Sequence, residues 1–114
     1  MKVTRLFTGS DGRSHFEDCS PETRPDRRET RAATGVFLHE FPAGTVLDWH
    51  PSPRRQFVVV VSGRLELDVG EGEPRRFGPG DVRIMEDTTG RGHTTRVIGD
   101  EPAVLAVVAL TPAT

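Results

Sequence analysis

Apolar and polar positions along this chain are grouped into short runs separated by turn residues. Glycine, proline and serine cluster at 9–12, 42–44, 51–53, 62–63, 70–72, 78–80, 90–92 and 99–102. Between these clusters lie runs rich in valine, isoleucine, phenylalanine and threonine at 36–41, 56–61, 64–69, 82–85, 93–98 and 104–110. Strands separated by turns at such even spacing predict an all-β sandwich or barrel, and no run has the 3.6-residue period of an amphipathic helix. The run AVLAVVAL ends the series without polar alternation, which predicts a strand buried on both faces. Residues 2–18 are expected to add an edge strand, centred on 14–17. Gly78-Pro79-Gly80-Asp81 reads as a tight turn, because proline fixes φ and glycine admits conformations closed to other residues.

Residues 20–30 read SPETRPDRRET, with two prolines, six charges and no apolar side chain. This predicts an exposed, charged loop. The domain organisation expected is therefore 1–33 as an N-terminal strand and charged loop closing the barrel, and 34–114 as the barrel itself. A length of 114 residues leaves room for a single core. An apolar fraction of 34% requires that core to be well patterned, or one surface to be covered by a partner. A formal net charge of −2 gives no nucleic-acid footprint. Cys19 is the only cysteine, so an intrachain disulfide is excluded and a reducing, cytoplasmic setting is expected. No stretch approaches the apolar length of a membrane span, and the first residues lack the apolar run of a signal peptide.

Two segments carry the candidate chemistry. Residues 44–63 read GTVLDWHPSPRRQFVVVVSG, and residues 80–93 read GDVRIMEDTTGRGH. In strand periodicity, side chains at i and i+2 share a face. Asp48, His50 and Ser52 are thus expected on one face, Gln56 with Val58 and Val60 on another, and His93 with Thr95. His50 and His93 are candidates for general acid and base near neutral pH, with Asp48 orienting one of them. Gln56, Ser52 and His15 are candidates for substrate contacts. Arg54 or Arg55 is a candidate clamp for a carboxylate or phosphate. His39 alternates with Phe37 and Phe41 and reads as a packing residue. Trp49, beside His50 on the opposite face, reads as packing between sheets or against a second copy. Glu86 and Asp87 read as a loop face, the alternative being a carboxylate that orients His93.

The two segments resemble the paired signature motifs of the cupin family. Gly44 is followed after five residues by His50, and six residues separate Gln56 from Gly63. Gly80 leads to Gly90 and His93. Ser52 stands where the family has a second histidine, Gln56 where it has glutamate and Thr88 where it has proline. The resemblance covers about 36–110 and is greatest to small single-domain bacterial cupins carrying DWHP-x-PRRQ and EDTTG-x-GH. It implies a jelly-roll barrel, the double-stranded β-helix, around one pocket. It further implies a homodimer and small-molecule chemistry of isomerase, lyase, cyclase or dioxygenase type. It also implies a metal held by His50, Gln56 and His93, whether Fe, Mn, Ni or Zn. Two neutral imidazoles and an amide carbonyl are a depleted set for such a dication, since these sites generally add a carboxylate, which Asp48 would have to supply. A metal-free enzyme, a metal-dependent dioxygenase and a non-catalytic ligand-binding module therefore remain as alternatives.

Overall fold

A computed structural model describes residues 1–19 and 31–112. The charged loop expected at 20–30 lies outside the described residues. Every regular element described is a strand: β1 (Val3–Thr8), β2 (Ser14–Asp18), β3 (Ala33–Phe41), β4 (Val46–His50), β5 (Gln56–Ser62), β6 (Arg64–Asp68), β7 (Arg75–Phe77), β8 (Val82–Glu86), β9 (His93–Ile98) and β10 (Ala103–Leu110). They form a six-stranded sheet in the order β2-β1-β8-β5-β10-β3 and a four-stranded sheet in the order β4-β9-β6-β7. β1 runs parallel to β8, and the other pairings are antiparallel. No helix among the described residues is long and apolar enough to cross a membrane.

The predicted strands at 36–41, 56–61, 64–69, 82–85, 93–98 and 104–110 correspond to β3, β5, β6, β8, β9 and β10. The N-terminal segment differs from expectation by contributing two strands. β2 is the edge, and β1 lies inside the sheet between β2 and β8. Its sequence VTRLFT alternates cleanly once the pairing is known: Thr4 and Leu6 are buried, while Val3, Arg5 and Phe7 face away.

The core lies between the sheets. Leu6, Val58, Val60, Leu65, Leu67, Phe77, Val97 and Leu105 pack there and are almost fully buried. Each such side chain contributes about 1.5–3 kcal/mol on leaving water, far more than an exposed ion pair. β10 sits between β5 and β3, but only its inner row is deeply buried. Leu105 and Val107 point into the core, while Val104, Ala106 and Val108 are half-buried. The expectation of burial on both faces thus holds for one face, because no second layer among the described residues covers the other. Val36 (70% exposed) and Leu38 (72%) of β3 continue that outer apolar row.

The turn at Gly78-Pro79-Gly80-Asp81 closes as its composition predicts. The Asp81 amide donates to the Gly78 carbonyl at 3.0 Å, and the Gly78 amide donates back to Asp81 Oδ2 at 2.9 Å. Gly80 takes a φ of +86°.

Candidate functional site

Between the sheets lies a cavity of about 370 Å³. It opens beside the Pro51–Arg54 turn and is lined by inward residues of β3, β4, β5, β8, β9 and β10. His50, Ser52, Arg54, Gln56 and His93 all line it, so most of the residues expected to converge do so.

β4 and β9 set the two imidazoles. His50 pairs with His93 and Leu47 with Thr95, so Asp48 and Trp49 together face the single residue Thr94. This β-bulge breaks the strict alternation on which the placement of Asp48 rested. Leu47 and His50 both point into the cavity, and Asp48 is exposed outside it. Asp48 Oδ1 accepts from the Trp49 amide at 2.9 Å, and its carbonyl accepts from His50 Nδ1 at 2.7 Å. It therefore orients His50 through its backbone rather than its carboxylate. The Trp49 ring carries the Arg91 guanidinium at 3.6 Å from its centroid. Gly92 makes the approach of the two strands possible. It holds a φ of +80°, and a Cβ there would stand 2.0 Å from the His50 carbonyl oxygen.

His93 is buried, 2% exposed, and its Nδ1 donates to Asp87 Oδ2 at 2.6 Å. Ser14 Oγ donates to the same oxygen at 2.6 Å. Asp87 is fully buried, which replaces the loop-face reading with the alternative, a carboxylate that orients His93. Both imidazoles thus spend Nδ1–H on an oxygen that only accepts, which leaves each Nε2 for the cavity. The ring centroids stand 4.9 Å apart.

The substrate-contact candidates divide. Ser52 is buried, its hydroxyl donates to the Arg54 carbonyl at 2.6 Å, and its amide donates to the Asp87 carbonyl at 2.8 Å. Arg54 Nη1 donates to Gln56 Oε1 at 2.9 Å, and its guanidinium lies over Phe37. Arg55 is drawn away into an ion pair with Glu86 at 3.0 Å, which Glu86 shares with Arg5. Burial pushes the Glu86 carboxyl up, but the two guanidinium groups outweigh it and hold the group below its ordinary value. His15 does not reach the cavity. β2 turns Ser14 inward and His15 outward, where it stacks on Phe7 and meets Asp11 at 3.0 Å. There, His15, Asp11 and Glu71 bring one ligand atom each within 4.8 Å of one another, a possible metal-binding group on the surface. Glu71 also pairs with Arg13 at 2.8 Å.

His39 faces the cavity between Phe37 and Phe41, its ring 4.1 Å from that of Phe41. The sequence does not single out Arg83 or Ser14, and it offers Asp87 only as the alternative partner of His93. The available signal was alternation along β8, which puts Arg83 and Met85 on the face of Gln56 and Val58. Among the described residues no aspartate or glutamate lines the cavity, and Arg83 places a buried guanidinium in its wall. Three imidazoles line the cavity, those of His39, His50 and His93, but among the described residues they do not bring their ligand atoms within 4.8 Å of one another. Gln56 Oε1 is already engaged by Arg54, and Arg83 is a nearby fixed cation. This set does not fit a resident dication, which such sites hold with the help of a carboxylate.

Two sheets packed face to face around an inward-facing pocket define a small jelly-roll barrel protein. The cupin domain family model matches residues 37–109, and the chain belongs to the cupin family. No curated protein matches the sequence. Among solved structures, the chain is similar to an uncharacterised conserved protein with a double-stranded β-helix domain from Klebsiella pneumoniae. Identity is 27% and the TM-score 0.53, over 75% of this chain and 74% of that one. It is also similar to a cupin-superfamily sugar phosphate isomerase from Silicibacter pomeroyi, at 24% identity and TM-score 0.54, over 90% of this chain and 61% of that one. A DMSP lyase, DddQ, from Ruegeria pomeroyi matches at 22% identity and TM-score 0.54 over 67% of this chain. The chain spans 37% of that lyase's length. These likenesses carry the fold and leave the chemistry to the site.

Proposed function

We propose that this cupin is a small-molecule enzyme that moves a proton at a carbon centre between His50 and His93, in an isomerase or lyase reaction, without a resident metal. The observation that carries this reading is the pair of Nδ1 hydrogen bonds, which turn both Nε2 atoms toward one cavity. His93 is the base. The Asp87 carboxylate fixes its tautomer and offsets the positive charge formed when Nε2 takes a proton, as a carboxylate does behind other catalytic imidazoles. His50, held only by a neutral carbonyl, returns a proton to the substrate from its protonated form. Ser52, Gln56 and Arg54 form the mouth and contact the bound molecule. The chain works as a homodimer, pairing through the outer apolar face of the larger sheet.

The test is solvent deuterium exchange. Untagged protein is incubated in D₂O with a panel of small organic acids, hydroxy acids and sugars, and carbon-bound deuterium is read by NMR. Exchange into at least one compound is expected, with a loss on the order of 10²–10⁴-fold in His93→Asn and His50→Asn. Binding without exchange would place the chain among non-catalytic ligand-binding cupins. Stoichiometric transition metal in the purified protein, lost in His93→Ala, would instead establish the metal-dependent alternative.

A further inference from the structure

Arg83 is the least explained charged group in the molecule. It is 4% exposed, sits on the inner row of β8 and lines the cavity. Among the described residues no hydrogen bond or ion pair reaches its guanidinium. The guanidinium lies toward the face of Phe77, 5.6 Å from the ring centroid. Among the described residues the buried side-chain polar atoms without a hydrogen-bond partner are Arg83 Nε, Thr4 Oγ1 and Asp87 Oδ1. They fall in one neighbourhood, since Thr4 is the register partner of Arg83 and the Asp87 charge acts on it. Burial lowers the Arg83 pKa to about 10, and Asp87 opposes part of that shift, so the group remains a cation at neutral pH. A buried, unpaired cation is costly, and a fold retains one where something compensates it.

We propose that Arg83 is an anion subsite in the wall of the cavity, and that the ligand of the His50/His93 pocket carries a carboxylate. This rests on the pocket being the ligand site. Among the described residues no aspartate or glutamate lines the cavity, and one oxygen of the buried Asp87 carboxylate is taken up by His93 and Ser14, which leaves the Arg83 guanidinium as the buried charge in the wall that a ligand meets. The planar guanidinium fork matches two carboxylate oxygens. The neighbours of Arg83 on the inner row, Val58 and Met85, offer no donor for the further oxygens of a phosphate. With its carboxylate on Arg83, the ligand lays an apolar body along Phe37, Met85 and Leu105 and brings its reacting carbon between the two Nε2 atoms. Arg83 thereby decides which molecules are positioned for proton transfer.

The test uses matched acids and amides. Benzoate and 3-phenylpropanoate are titrated beside benzamide and 3-phenylpropanamide into wild type, Arg83→Met and Arg83→Lys, with amide chemical shifts as the readout. Wild type is expected to bind each acid about 10-fold more tightly than its amide, the value of a charge-assisted hydrogen bond. Arg83→Met loses that preference while still binding the amides, and Arg83→Lys, with charge but no fork, falls between. Thermal melting separates this from a purely structural role. A subsite held for a ligand predicts that ligand-free Arg83→Met melts at or above wild type. A much lower melting temperature makes Arg83 the counter-ion of Asp87 and overturns the proposal. Equal binding of acid and amide by wild type also overturns it, and leaves the His50/His93 pocket standing. Failure of all four probes to bind at millimolar concentration removes pocket and subsite together.

Discussion

Asp87 accepts two short hydrogen bonds on one oxygen, from His93 Nδ1 and from Ser14 Oγ, at complete burial. Removing it strands both donors away from water. Asp87→Ala is therefore expected to lose roughly 1–3 kcal/mol for each orphaned donor, measured by chemical denaturation. Asp87→Asn tests orientation more gently. Its carbonyl oxygen can take the place of Oδ2 and accept from both donors, but the charge behind His93 is gone, so exchange activity falls with little change in melting temperature. The sequence leaves this role open only as the alternative to a loop face, since Glu86 and Asp87 sit together before a glycine turn and either acid could face His93. The chain turns at that point, and the two neighbouring acids go to opposite sides of the sheet. Glu86 meets Arg5 and Arg55, and Asp87 meets His93. Arg83 escaped notice because an arginine within a short apolar run reads as an outward residue until the register of β8 is known.

At the scale of elements, β4 and β9 show where pattern reading succeeds and where it stops. The glycine and histidine spacing brought His50 and His93 to one site, because the spacing reflects strand and turn lengths that the barrel fixes. The bulge at Asp48 and Trp49 leaves no comparable trace, since it depends on the pairing of β4 with β9. Strand β7, three residues with two arginines, was missed for a related reason: its identity rests on pairing with β6. Gly92 joins β4 and β9 by letting backbone meet backbone. Gly92→Ala is expected to cost about 2 kcal/mol or more, from positive φ and from displacement of the His50 carbonyl, seen as a lower melting temperature and a shifted His50 resonance.

At the scale of the whole molecule, two features remain to be accounted for. The outer row of the larger sheet exposes Val36, Leu38 and Val61 beside the half-buried Val59, Ala106 and Val108. Residues 20–30 contain no apolar side chain with which to cover it. A second copy presents the same surface, and two-fold pairing buries both. Light scattering is expected to give a dimer mass, reduced to monomer by Leu38→Glu with the fold intact; a monomeric wild type would refute the pairing. The second feature is the Arg5–Glu86–Arg55 group, which ties β1 and β8 to the turn before β5. Glu86 titrates below its ordinary value of 4.5 in the folded state. Its contribution to stability is therefore complete above that value and is lost as pH falls through the lowered folded pKa. Glu86→Gln is expected to flatten the acid limb of the stability profile below pH 4.5, measured by denaturant titration across pH, and to leave its alkaline limb unchanged.

The bulge in β4 has a consequence for how such a barrel diversifies. An extra residue in a strand is ordinarily counted as an irregularity of backbone. Here it acts as a choice of side chain: beside His50 it presents leucine and turns a carboxylate out to solvent. Straightening the strand would exchange the two, and the same residues would then offer a cation the acidic neighbour it lacks. Backbone register, as much as substitution, thus decides whether a leucine or a carboxylate stands beside His50 in this pocket.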